Sequence, residues 1–186
     1  MAVLPAQTIR QLCKRADNQL IVPFHTRYAR LNMTGGLGPC TYDMRIAQTM
    51  VLWPIWLLPL YAILVVVRYA MRDKLFPNVR CFFTLASTME RVSFPSDICG
   101  TVLDKSSNAR RGLSVFNTKF DPGFEGYPTI ELHNCGLRVL WYKKGTPICQ
   151  FKFERLEAPT EMPYIGRYQG QGNAPTPYRE AQGVWT

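Results

Sequence analysis

From residue 20 to residue 155 the chain is a succession of short apolar and β-branched runs, most of them cut off by glycine or proline within a few residues. The runs at 20–24, 41–46, 79–84, 99–103, 112–116, 128–133, 137–142 and 148–155 read as strands. Gly35-Gly36-Leu37-Gly38-Pro39 reads as a turn between the first two. Closely spaced strands with such punctuation predict a mainly β chain built as a barrel or sandwich. Only 5–16 carries a helical pattern: Pro5 suits a first turn, Ile9, Leu12 and Cys13 recur on one face, and Lys14 and Arg15 suit the last turn.

One stretch breaks the pattern. Residues 50–67 are 18 uncharged, mostly apolar positions. A transmembrane helix needs about 20, so length alone permits one. Pro54 and Pro59 lie inside it, and Arg45 on one side faces Arg68, Arg72 and Lys74 on the other, so no orientation is specified. A single span would also put the two halves of one β unit on opposite sides of a membrane. The expectation is therefore buried strands lining the core or a subunit contact, with Pro59 at a bend, and no membrane association.

The 186 residues suffice for one well-cored domain, and 47% hydrophobic against 19% charged residues exclude global disorder. A formal net charge of +9 fits nucleic acid, an anionic membrane, a small polyanion or plain solubility. No compact basic-aromatic motif supports specific nucleic-acid binding. Cysteines stand at 13, 40, 81, 99, 135 and 149 without a C-x-x-C pair, and His25 and His133 are far apart. That spacing argues against a zinc site and for reduced thiols in a cytoplasmic setting. The N-terminus lacks the basic-then-apolar pattern of a secretory signal.

The chemistry-bearing residues gather between 104 and 131. Lys105, Ser106, Ser107, Arg110 and Arg111 offer hydroxyls and cations that can hold a phosphate chain. Glu131 stands between Ile130 and Leu132. A carboxyl held against an apolar strand can take and return protons if burial raises its pKa. Taken singly, each has an ordinary reading: a solvent-facing Glu on an alternating strand, a turn serine, a surface arginine.

Taken in order, the motifs resemble those of the dCTP deaminase family of the trimeric dUTPase-like superfamily. The stretches that carry the resemblance are Ser106-Ser107-Asn108-Ala109-Arg110-Arg111-Gly112-Leu113, Asp121-Pro122-Gly123-Phe124-Glu125-Gly126 and Thr129-Ile130-Glu131-Leu132. Thr41-Tyr42-Asp43-Met44-Arg45, Thr84 to Val92, Phe94 to Gly100, Gly145 to Gln150 and Arg167 to Gln171 are similar to further family segments, whereas 50–78 has no clear counterpart. The resemblance implies a distorted jelly-roll or β-barrel of the dUTPase-like type with a short N-terminal helix. It implies a single domain over 1–160 that carries the apolar insert at about 50–78, and a tail over 161–186 that closes over the nucleotide.

It also implies hydrolytic deamination of dCTP, or of a modified deoxycytidine triphosphate, to the dUTP-type product and ammonia. Glu131 would be the proton shuttle, Ser106 the hydroxyl that holds the attacking water, and Arg110 the cation near the ring. Lys105, Ser107, Asp121, Thr129, Tyr164, Arg167 and Gln171 would bind nucleotide, Lys105 and Arg167 standing where the family has Arg and Lys. Mg²⁺ would arrive on the triphosphate, without zinc, and the site would form between subunits of a homotrimer. The chain departs from the family at 115–121, which is about two residues shorter than the hairpin that usually carries His-x-Thr-Ala before the Asp; Thr118 is the candidate for the retained Thr. That departure, with Asp121, keeps open a dUTPase or dCTP pyrophosphatase, a bifunctional dUMP-forming deaminase, and a non-catalytic nucleotide-binding barrel.

Overall fold

The computed structural model describes residues 1–70 and 79–180. Its spine is the nine-residue strand Pro147–Arg155, whose Ile148, Cys149, Phe151 and Phe153 are fully buried. It pairs antiparallel with Ile98–Asp104 on one edge, and with Thr41–Arg45 and Ala2–Val3 on the other. Lys119–Phe120 extends the sheet beyond Ile98–Asp104. Three smaller sheets close around this spine: Leu113–Val115 and Phe83–Ser87 flank Thr129–Asn134; Glu125–Gly126 and Ile21–Val22 flank Arg91–Ser93; Leu140–Tyr142 and Val79–Arg80 flank Met50–Leu52. The rings of Phe94, Phe120, Phe124, Phe151 and Phe153 pack on one another inside, with centroids 4.9–6.3 Å apart. Aromatic contacts of this kind add to the area each ring buries. The mainly β architecture is the one the strand spacing predicts.

Helix α1, Ala6–Cys13, buries Ile9, Leu12 and Cys13 as its apolar stripe requires, and is shorter than the expected 5–16. The chain also forms a hairpin that the sequence conceals. Arg27–Arg30 pairs with Met33–Gly36 across Leu31 and Asn32, both at positive φ. Such two-residue turns favour glycine, and Leu-Asn gives no such sign. Gly35 and Gly36 are thus strand residues rather than the start of a turn.

The largest correction concerns 50–67. Met50–Leu52 is a buried strand, as expected. Beyond it, Ile55–Leu57 form a 3₁₀ turn and Leu58–Ala70 form helix α2. Pro59 stands in the first turn of α2, where a missing N–H costs nothing, and marks no bend between strands. A continuous apolar run carries no period that separates strand from helix, and here helix wins. Nor is the helix buried: Ile63 is 62% and Val66 68% exposed. Among the described residues no helix is long and apolar enough to cross a membrane.

Candidate active site

Strand Thr129–Asn134 alternates strictly: Ile130, Leu132 and Asn134 point into the core, and Thr129, Glu131 and His133 face the other way. Its register against Phe83–Ser87 sets Glu131 opposite Leu85. The apolar floor made by Leu85, Phe83 and Phe120 strips water from the Glu131 carboxyl, and this burial raises its pKa above the ordinary 4.5. Glu131 Oε2 is buried and has no hydrogen-bond partner. A carboxyl with a free oxygen and a raised pKa can take a proton from a bound molecule and return it.

Glu131 opens into a cavity of about 540 Å³. Asp121, Thr129, Tyr164 and Gln171 line it too, so five of the expected site residues come together in one hollow. Phe83, Phe120, Tyr168 and Tyr178 give it aromatic walls suited to a planar ring. Asp121 is half-exposed, with Lys119 Nζ 3.3 Å from its Oδ1. The short 115–121 segment turns tightly: Thr118 N donates to Phe116 O, and Phe116 N donates to Glu131 O at 3.1 Å. Thr118 lines the cavity.

The tail folds across this hollow. Tyr164 N donates to Pro122 O, Gly170 N to Glu125 O, and Tyr127 N to Gln171 O. Asn173 O accepts from the buried Ser87 Oγ at 2.5 Å. Gly123 and Gly126 explain the closeness of this crossing. A Cβ on Gly123 would lie 2.8 Å from Pro163 Cβ, and one on Gly126 2.7 Å from Gln171 N, both at positive φ. Arg167 stacks against Tyr168 and Tyr178, at 5.9 and 5.6 Å, and donates to Arg179 O. It holds the tail's aromatic wall rather than lining the cavity.

The Ser-Ser segment lies elsewhere in the chain. Ser106–Ala109 form the short helix α3. Asn108 anchors it: its buried Nδ2 donates to Pro147 O at 3.0 Å and Ile148 O at 2.9 Å. Ser106 and Arg110 are exposed, and Ser107 Oγ lies 3.9 Å from Met33 Sδ. Lys105 Nζ sits 3.0 Å from Asp43 Oδ2 with both side chains largely buried, so its ammonium faces a carboxylate. Arg110 borders a second hollow with Arg111, Gly136 and Arg138, beyond the Asn134 end of the central strand. Asn134 is three positions along the strand from Glu131, roughly 10 Å. Within one chain, neither Ser106 nor Arg110 lines the Glu131 cavity. Sequence reasoning missed Asn108, Tyr168 and Tyr178; only the aromatic content of the tail hinted at the last two.

Among the described residues no three of His, Cys, Asp or Glu gather as a metal cage would need. The cysteines are unpaired, as expected, with Cys13, Cys99 and Cys149 buried.

The sequence model of the dCTP deaminase-like family matches residues 62–156, just over half of the chain. The chain belongs to the dCTP deaminase-like family. The match begins inside α2 and takes in the Ser-Ser segment, Asp121 and Glu131. Family relatives include a dUMP-forming dCTP deaminase of Persephonella marina, 42% identical over 90 residues, which is 48% of this chain and 50% of the relative. A dCTP deaminase of Rhodospirillum rubrum is 41% identical over 105 residues, 53% of each chain. The chain spans about half the length of the curated relatives it matches. Among solved structures, the native dUTPase of EIAV is 13% identical with a TM-score of 0.49, over 80% of this chain and 97% of its own.

Proposed function

We propose that this member of the dCTP deaminase-like family hydrolyses the C4 amine of dCTP, or of a modified deoxycytidine triphosphate, and releases ammonia. The observation that carries the reading is Glu131: a carboxyl with one unpaired buried oxygen and a raised pKa, set in an aromatic-walled cavity. In the ionised form it takes a proton from the attacking water. It returns that proton to N3, takes a second from the C4 hydroxyl of the tetrahedral intermediate as the carbonyl forms, and gives it to the departing amine, so one group serves as base and acid. Tyr168, Tyr178 and Phe120 exclude bulk solvent from the ring, and Thr129 and Gln171 position the nucleoside against Glu131.

Ser106 and Arg110 enter this scheme from a neighbouring subunit. Neither lines the Glu131 cavity within one chain, which supports a site assembled between copies, and a homotrimer is the proposed assembly. Ser106 would hold the water and Arg110 the charge developing near the ring. Ser107 and Arg167 would serve the phosphates, with Lys105 joining them if it leaves Asp43. Mg²⁺ is proposed to arrive on the triphosphate, whose oxygens are its natural ligands. The reaction and the unpaired thiols fit a cytoplasmic setting.

A second reading is favoured by one observation: Asp121 lines the same cavity as Glu131. An acid near the phosphates could direct a second water to the α-phosphate, so that deamination is followed by cleavage of the α–β bond and release of dUMP and pyrophosphate. The dUMP-forming name of the Persephonella marina relative supports it. Incubation of the purified protein with dCTP and Mg²⁺, with products resolved by chromatography, tests both. The deaminase reading expects dUTP and ammonia, and the bifunctional reading dUMP and ammonia. Formation of dCMP without ammonia would replace both with a pyrophosphatase.

A further inference from the structure

Among its described side chains, helix α2 is apolar on every side and nearly uncovered. Of these side chains only Tyr61 and Leu64 are half-buried, in line with Leu57 of the preceding turn at i, i+4, i+7, and Tyr61 meets Trp53 edge-on at 6.2 Å. Leu58, Leu60, Ile63, Val65, Val66 and Val67 are all exposed. An apolar patch of this extent is covered by something in the working protein. The helix is also fixed at its foot: Trp56 Nε1 donates to Leu137 O at 2.9 Å. That bond joins α2 to a second exposed apolar strip, Leu137, Val139 and Trp141, on the loop and strand beside it.

The chemistry around this face selects the cover. A second copy, or a protein groove, would meet one or two stripes of the helix and leave the others in water. A surrounding apolar in every direction is supplied by lipid acyl chains. The described part of the helix runs 13 residues, about 20 Å, enough to reach through one leaflet of the roughly 30 Å hydrocarbon core. Beside the apolar strip stand Arg138, Lys143 and Lys144, and no acidic residue occurs between Glu131 and Glu154. Lys143 Nζ lies 4.9 Å over the exposed Trp141 ring, a cation and an indole of the kind that gathers at membrane interfaces.

We propose that α2 and the adjoining 137–144 segment dock the protein onto an anionic phospholipid bilayer. The helix lies among acyl chains of the near leaflet, and Arg138, Lys143 and Lys144 meet the lipid phosphates. The cavity that holds Glu131 is lined by none of these residues, whereas Leu137, Arg138 and Val139 line the Arg110 hollow, so the variants that test docking are placed on α2 and at Lys143 and Lys144.

The test uses the full chain with vesicles of phosphatidylcholine alone and of phosphatidylcholine mixed with phosphatidylglycerol. The protein should sediment with the anionic vesicles, at least about tenfold more than with the neutral ones, and salt should weaken the binding. Ile63→Asp combined with Val66→Asp should abolish it while leaving the melting temperature and the turnover of dCTP unchanged. Lys143→Glu combined with Lys144→Glu should remove the preference for phosphatidylglycerol. Wild-type protein that stays in solution with both vesicles overturns the proposal, as does an Asp variant that binds like the parent. Equal binding to both vesicles overturns the anionic lipid. If the Asp variant instead lowers the sedimenting mass of a vesicle-indifferent wild type, the cover is a second copy.

Discussion

Thr129 Oγ1 donates a hydrogen bond to Gln171 Oε1 at 3.0 Å, and the same hydroxyl accepts from Thr176 N at 2.9 Å. Thr129 is two residues before Glu131 on the same face of the strand. One hydroxyl thus ties the proposed proton shuttle's strand to two points of the tail. The bridge between Gly126 and Gln171 fixes the same crossing from the backbone side. Tail position and the geometry around Glu131 are in this way one variable.

Gly126→Ala tests that coupling. The new Cβ would sit 2.7 Å from Gln171 N at a φ of +147°, so the tail must lift. The core strands do not depend on it. KM for dCTP is expected to rise about tenfold or more, the scale of losing one or two positioning hydrogen bonds, while cooperative unfolding persists. Unchanged kinetics would uncouple the tail from the site.

Glu131→Gln is expected to lower turnover at least about 10²-fold and to spare nucleotide binding. In the parent, activity should rise with pH through a pKa above the ordinary 4.5, because the water's proton goes to the ionised carboxyl. Stability should move the opposite way. In acid both folded and unfolded chains carry this group protonated, and its burial costs little. As pH rises the unfolded chain ionises first, and stability is lost until the folded carboxyl ionises as well. Glu131→Gln should therefore melt higher than the parent at neutral pH, with the gap closing in acid. A gap independent of pH would contradict the buried carboxyl.

A site shared between subunits makes a mixing prediction. Glu131→Gln and Ser106→Ala variants, each inactive alone, should regain part of the parent turnover when unfolded and refolded together. Some mixed oligomers then hold one site with both native residues. No recovery would place the two residues in the same subunit's site.

Arg45 and Glu90 form a buried ion pair, Nε to Oε1 at 2.5 Å, with Arg45 N donating to Glu90 Oε2 at 2.8 Å. Glu90→Ala strands the guanidinium and should cost about 3–5 kcal/mol, read as a fall in the denaturation midpoint. A loss under about 1 kcal/mol would mean that water reaches Arg45.

Legibility follows local physics. Residues 129–134 alternate in the sequence as they do in space, so the position of Glu131 beside an apolar core is readable from the order of residues alone. The 27–36 hairpin is not, because Leu31 and Asn32 adopt positive φ without a glycine to signal it. Residues 50–67 mislead because an unbroken apolar run has no period, and because exposure of such a run contradicts the usual reason for it. Asn108 stands in the sequence only as one position of a motif; its role as the buried anchor of α3 depends on carbonyls about 40 residues away. Lys105 offers a phosphate cation, but its nearest charge is Asp43, a partner that only the pairing of Thr41–Arg45 with Pro147–Arg155 brings near.

Ammonia release is the most direct measure of the account. Purified protein with dCTP and Mg²⁺ should release one ammonia per nucleotide converted, with dUTP or dUMP as the partner product, and Glu131→Gln should release none above background. Conversion of dCTP without ammonia, or full ammonia release by the Glu131→Gln protein, would contradict it.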